Sequence, residues 1–144
     1  MSRRPIGDVA VGDALGELTV EVDRARLVAY AAASGDHNPI HWSDRIAAEA
    51  GLPGVIAHGM WTMGAASSLL TRWAGDPAAV VSWSCRFTRP VPVPDPGTAV
   101  LIVTGRVTAV DPAERTAGVD LDVRADTAGG AAVLGKARAV LRLA

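Results

Sequence analysis

The sequence predicts an α+β fold, and three observations predict it. Candidate helices fall early in the chain, at 23–34, 44–50 and 59–73. The last of these is apolar nearly all round. After residue 80 the helical spacing gives way to alternation, with Val81, Trp83, Cys85 and Phe87 set between Ser82, Ser84, Arg86 and Thr88. Helices followed by half-buried strands form an α+β pattern. An antiparallel sheet wrapped around the one apolar helix is the economical packing.

Each element has its own signal. Residues 5–16 hold three glycines and a proline and read as an entry loop. Leu18, Val20 and Val22 alternate with polar residues and predict a first strand. Asp23 is placed to cap a helix that runs to Ser34, with Leu27, Val28 and Ala31 on one face and Gly35 as its stop. Ser43 caps a short helix from Asp44 to Ala50, ended by Gly51 and Pro53. Gly54 to Ala57 is a tight approach to the helix at 59–73. That helix carries Met60, Trp61, Met63, Ala65, Ala66, Leu69, Leu70 and Trp73, which predicts burial on most sides.

Beyond the strand at 81–87, Val119, Leu121 and Val123 mark another, and Val133 to Leu143 a further one. Residues 98–110 alternate less cleanly but fit a strand. Turns are expected at Pro94-Asp95-Pro96-Gly97, Asp111-Pro112 and Gly129-Gly130.

Composition narrows the function. A chain of 144 residues suits one domain with one core, spanning 1–144. Hydrophobic residues at 49% and charged residues at 20% are ordinary for a globular protein. A net charge of -1 leaves no basic footprint for nucleic acid and no general pull toward an anionic membrane. No apolar run is long enough to span a bilayer. Arg3 and Arg4 are followed by no apolar core of a signal peptide. Cys85 is the only cysteine, so no internal disulfide can form. The expected location is cytoplasmic.

The chemistry concentrates in Ser34-Gly35-Asp36-His37-Asn38-Pro39-Ile40-His41. Pro39 removes a donor and turns Asn38 away from helical geometry, so the segment is a stiff loop. Such a loop can point Asp36 and His41 into one cleft, where a carboxylate and an imidazole form an acid/base pair. The bland alternative makes Asp36 a turn cap and His41 a satisfied surface histidine. Asn38 can hold the loop or orient the imidazole. His37 and His41 have the spacing of a helical metal pair, but Pro39 lies between them, and no metal is expected.

Gly59 falls at the first turn of the apolar helix. There its N–H is an orphan donor at the positive end of the helix dipole. Lacking a side chain, it lets a ligand carbonyl come close; tight packing alone is the alternative. Ser67 either meets a substrate or bonds back to the carbonyl of Met63, and the second is favoured. Trp42, Trp61, Trp73 and Trp83 are scattered and read as core and pocket lining, and Cys85 as inert core. An acid/base pair facing backbone donors is what proton removal beside a thioester carbonyl requires.

These motifs resemble the MaoC-like dehydratases, the (R)-specific enoyl hydratase family with a hot-dog fold. That family's pattern is an aromatic, a short spacer, Ser/Thr-Gly-Asp-x-Asn-Pro-aliphatic-His, five residues and a small one. It is met by Tyr30, Ser34 to His41 and Ala47, with Ala33 a small departure. Met60 to Gly64, Arg86-Phe87-Thr88 and the proline-rich 90–94 look most like the catalytic B-type subunit of actinobacterial (3R)-hydroxyacyl-ACP dehydratases.

The resemblance implies a single hot-dog domain with Asp36 and His41 as the catalytic pair and Gly59 as the backbone donor to the thioester carbonyl. Asn38 and Ser67 are carried as further substrate-side candidates. It implies reversible loss of water from a (3R)-hydroxyacyl thioester, on ACP or CoA, to the trans-2-enoyl thioester, in fatty-acid chain elongation. No cofactor is expected, because no electrons are transferred. The expected assembly is a hot-dog dimer, with a heterodimer containing a related non-catalytic subunit preferred over a homodimer.

His41 is assigned to C2 and Asp36 to the 3-hydroxyl or water, with the opposite division left open. Two rivals remain. A hot-dog acyl thioesterase commonly uses a carboxylate on the central helix, and residues 59–73 have none. A non-catalytic hot-dog partner subunit would not need both Asp36 and His41.

Overall fold

The computed structural model describes residues 2–144. Strand β1 (Ala14–Val22) leads into helix α1 (Arg24–Ser34), the short helix α2 (Asp44–Glu49) and the long helix α3 (Gly59–Ala74). Four strands follow: β2 (Val80–Phe87), β3 (Ala99–Asp111), β4 (Thr116–Ala125) and β5 (Leu134–Arg142). They form one five-stranded antiparallel sheet in the order β1-β3-β4-β5-β2. The predicted α+β arrangement holds, with α3 lying against β1, β2, β3 and β5.

The helix ends follow local chemistry. The Asp23 carboxylate accepts from the Arg26 N–H at 2.7 Å, capping α1. Gly35 closes that helix in the left-handed region at φ 76, where its N–H reaches the Ala31 carbonyl at 2.9 Å. Ser43 caps α2 through the Ile46 N–H. On the far side of the fold, Arg4 donates its N–H to the Ala74 carbonyl and lays its guanidinium over the Trp73 ring, pinning the end of α3.

The core lies between α3 and the concave face of the sheet. Ala66, Leu69, Leu70 and Ala74 meet Leu101, Val103, Val119, Val123 and Leu141 there, all buried. The alternation predicted for β4 is observed, with Ala117, Val119, Leu121, Val123 and Ala125 all inward.

Four expectations are corrected. Helix α3 is buried on one face only, and Met60, Gly64, Ser68 and Arg72 are exposed. Val28 does not share the face of Leu27 and Ala31 and is 59% exposed, because α1 meets the core along a narrow stripe. In β2, Trp83 and Cys85 pack on the core but Val81 and Phe87 are exposed. The pairing of β2 with β5 shifts at Val80/Ser82 and at Ser84/Arg86, and each shift breaks strict alternation. Trp42 is neither core nor cleft lining, with its ring in solvent and its Nε1–H on the His37 carbonyl.

Leu70→Ala or Leu101→Ala should destabilise the fold by about 2–5 kcal/mol, the range for emptying a fully buried leucine site. Val28→Ala should stay within about 0.5 kcal/mol. Urea unfolding of the three variants reads both, and a Leu70→Ala protein as stable as the parent would contradict this account of the core.

Candidate active site

The loop after α1 is built from short side-chain-to-backbone bonds. Ser34 Oγ donates to the Tyr30 carbonyl at 2.8 Å and accepts from the Asp36 N–H at 3.2 Å. Asp36 Oδ1 accepts from the Asn38 N–H, and Asn38 Oδ1 from the Ile40 N–H, each at 3.2 Å. These Asx turns wind Pro39–His41 into one 3-10 turn. The two oxygens of Asp36 are placed differently. Oδ1 caps the turn, while Oδ2 lies 3.9 Å from His41 Nε2.

A second segment runs alongside. Ile56 donates its N–H to the Ile40 carbonyl, Ala57 to that of Val91, and Val93 donates to that of Val55. Arg24 fastens the assembly from outside, donating to the Val93 carbonyl and to the Asp44 carboxylate. The hydrogen bond from Arg24 holds the Asp44 carboxyl below its ordinary range.

His41 is a buried residue, 7% exposed, and not a surface histidine. Its Nδ1 lies 2.7 Å from the Ile56 carbonyl. A carbonyl can only accept, so Nδ1 carries a proton and Nε2 is the working nitrogen; the tautomer follows from the partner. Nε2 and Asp36 Oδ2 are too far apart for a direct hydrogen bond, which leaves both free to engage a reacting oxygen or carbon.

His58, directly before α3, was given no role from the sequence. It is 1% exposed and stacks on His41, with ring centroids 3.8 Å apart and planes 23° apart. Its Nε2 lies 3.1 Å from the Asp36 carbonyl, and the edge of Tyr30 packs against it at 4.8 Å. Its Nδ1 is buried without a hydrogen-bond partner among the described residues. Burial pushes its pKa below the ordinary histidine value; the Asp36 carbonyl opposes that shift and the neighbouring His41 adds to it. A signal was present in the sequence, since a histidine directly before the glycine of a helix start is forced against whatever that start faces.

Asp36, His41 and His58 could be read as a metal cluster, since one ligand atom from each lies within 4.8 Å of the others. The stacking argues otherwise. Imidazole lone pairs lie in the ring plane. Two nearly parallel rings cannot both aim at one ion at the roughly 2.0–2.1 Å of a metal–nitrogen bond.

The cleft beside His41 has a volume of about 380 Å³. His41, Gly59 and Thr62 line it with the apolar side chains of Ile56, Val91 and Leu134, and Arg89 is its cation. Gly59 opens α3, so its N–H has no acceptor within the helix. A Cβ at Gly59 would come within 3.1 Å of the Phe87 ring, so the ring and the missing side chain fit each other. Asp36 meets the cleft through His41. Asn38 and Ser67 are not among the lining residues. Asn38 spends its side-chain oxygen on Ile40, and Ser67 Oγ donates to the Gly64 carbonyl at 2.7 Å, a back-bond one residue from the Met63 acceptor considered in the sequence.

Residues 9–125 match the family model described as "MaoC like domain". The chain belongs to the MaoC-like domain family. A solved MaoC-like dehydratase superposes with a TM-score of 0.94 at 38% identity, covering 99% of this chain and 43% of that one. The (R)-hydratase from A. caviae involved in PHA biosynthesis superposes with a TM-score of 0.82 at 26% identity, covering 95% of this chain and 98% of that one. The sheet around α3 is thus the hot-dog fold. In sequence, 3-hydroxyacyl-thioester dehydratase X of Mycobacterium tuberculosis is 45% identical over 75 residues, 52% of this chain and 26% of that protein. The chain spans at most half the length of the first curated relatives it matches, from 3% to 50%. In this MaoC-like chain the Asp36–His41 loop and the Gly59 helix start fall within the matched residues.

The low pKa of His58 fixes a sign for stability against pH. The unfolded chain takes up a proton on this imidazole near pH 6.5, whereas the folded chain resists it to lower pH. The contribution is complete above about pH 6.5 and is lost as pH falls toward the folded value. Urea midpoints at pH 7.5 and 5.5 should fall further on acidification in the parent than in His58→Phe. Equal losses in the two proteins would show that His58 is not held neutral.

Proposed function

We propose that this chain catalyses the reversible dehydration of (3R)-hydroxyacyl thioesters to trans-2-enoyl thioesters, as a hydro-lyase acting through Asp36 and His41. The observation that carries the reading is the carboxylate–imidazole pair at 3.9 Å, with the buried imidazole in the wall of an apolar cleft whose rim is the Gly59 helix start. The names of the relatives support it, because they are dehydratases and hydratases of hydroxyacyl and enoyl thioesters.

In the hydration direction the pair starts as carboxylate and imidazolium. Asp36 takes a proton from water as the water oxygen bonds to C3. The thioester carbonyl becomes an enolate, held by the Gly59 N–H and the positive end of α3. His41 Nε2 then gives its proton to C2 and the enolate collapses. Dehydration is the reverse, and the proton left on Asp36 and missing from His41 is exchanged across the short gap between them. The chemistry uses no electron acceptor and calls for no cofactor. The acyl chain fits among Ile56, Val91 and Leu134, and Arg89 at the cleft suits a phosphate-bearing pantetheine arm on CoA or ACP. A thioesterase reading gains nothing here, since α3 carries no Asp or Glu.

The working unit is proposed to be residues 1–144 as one hot-dog domain, paired with a second. β2 is hydrogen-bonded on one edge only, and Val81 and Phe87 beside its open edge are each 53% exposed. An unpaired edge strand with apolar side chains invites another strand. Covering Phe87 would also exclude water from the Gly59 end of the cleft. A related non-catalytic subunit is the preferred partner. No helix among the described residues is long and apolar enough to cross a membrane, and the proposed site of action is the cytoplasm.

Purified protein, with its partner where one is needed, should hydrate crotonyl-CoA or a longer enoyl-CoA to the (3R) product in the presence of EDTA. Asp36→Asn and His41→Ala should each lower the rate by at least about a hundredfold, the scale for losing a general acid or base. Parental rates in either variant would sink the assignment.

Light scattering on the size-fractionated chain tests the assembly. A dimer is expected, and activity that rises on adding a related subunit supports the heterodimer. A stable, fully active monomer would end the pairing proposal.

A further inference from the structure

His58 lies outside the reacting pair but touches both of its members. Its ring covers one face of His41 at 3.8 Å, and its Nε2 meets the backbone carbonyl of Asp36 at 3.1 Å. Because a carbonyl only accepts, Nε2 carries the proton and Nδ1 is a bare lone pair. That lone pair is buried and unpartnered among the described residues. A phenylalanine could fill the space but could not hold Asp36, which singles out the Nε2 donor.

The geometry points to His58 as a positioning residue: its Nε2–H fixes the Asp36 peptide and its ring backs His41, so that carboxylate and imidazole present one fixed geometry to the cleft. This rests on the dehydratase reading and deepens it. His58 does not line the cleft and does not touch substrate.

The arrangement works only with one proton on His58. The ionisable groups packed against it are His41 and Asp36 from the loop and Tyr30 from α1. A second proton on His58 would put a cation against the imidazolium that His41 becomes in the proposed cycle. Burial and that neighbour both oppose it. The one ring thus backs His41 and, through its donor, anchors the carboxylate partner. Tyr30 packs on His58 in a T-shaped contact, with ring centroids 4.8 Å apart.

Three variants separate donor from stack. His58→Phe keeps an aromatic face and loses the donor. His58→Gln keeps a donor near the position of Nε2 and loses the aromatic face. His58→Ala loses both. With crotonyl-CoA and the assembled enzyme, His58→Phe should lower kcat roughly ten- to hundredfold, the effect of misplacing a reacting group by about 1 Å. KM should change little, and His58→Gln should recover part of the kcat lost in His58→Ala.

The second readout needs no activity. Nitrogen NMR of the labelled imidazoles in the parent should show His58 as the Nε2–H tautomer, taking up its second proton only below the ordinary histidine range. Parental kcat in His58→Phe, an Nδ1–H tautomer, or titration of His58 near the ordinary histidine value would each overturn the proposal. If the parent enzyme hydrates no enoyl thioester, the dehydratase reading fails, and the tautomer of His58 still decides whether it holds the Asp36 peptide.

Discussion

The site depends on one hydrogen bond, between His41 Nδ1 and the Ile56 carbonyl at 2.7 Å. It sets the tautomer, turns Nε2 toward Asp36 and joins the 3-10 turn to the segment leading into α3. That segment is itself tied to residues 91–93 by backbone bonds at Ala57 and Val93. The acid/base loop and the helix start are therefore one rigid piece, although neither His41 nor Gly59 lies on a strand. Rigidity matters because a base is effective only while it stays within hydrogen-bond reach of its proton. Here it comes from many short local bonds rather than from burial, since Asp36 is half exposed.

Electrostatics divide the two histidines of the site by what each can donate to. His41 faces a carboxylate side chain and has one nitrogen left for chemistry. His58 faces a carbonyl and is shut in by Tyr30 and His41, so its second nitrogen has no outlet. Similar rings 3.8 Å apart thus stand in different hydrogen-bonding surroundings. Burial acts against charge on His58.

Legibility in the sequence followed the range of the interactions. Helix ends were readable because Asp23, Ser43 and Gly35 act on residues three or four away. The Asp36–His41 pair was readable because Pro39 and Asn38 shape a loop within itself. Strand order was not, since β1 lies beside β3 and β2 beside β5 through contacts far apart in the chain. The shifts in β2 hid the exposure of Val81 and Phe87, because alternation alone assumes an unbroken register. His58 was missed for the same reason: its partners Tyr30, Asp36 and His41 come from another element. Ser67 was read as a choice between substrate and backbone, and its bond to Gly64 fills the hydroxyl locally.

The exposed face of α3 and the open edge of β2 share a cause. A sheet that curls around one helix can cover only the side of that helix it faces, so Met60, Gly64 and Ser68 are left in solvent. Curling also leaves two strands at the rim, β1 and β2, with unpaired backbone groups. β1 ends its exposure in polar residues such as Glu17, Thr19 and Glu21, a charged edge that resists pairing. β2 instead offers Val81, Ser82, Ser84 and Phe87 with a single charge, Arg86, and no carboxylate. The two rims are therefore not equivalent, and the one without carboxylates carries Phe87, whose ring packs against Gly59. In the proposed dimer, pairing at β2 would reach the helix start through that one side chain.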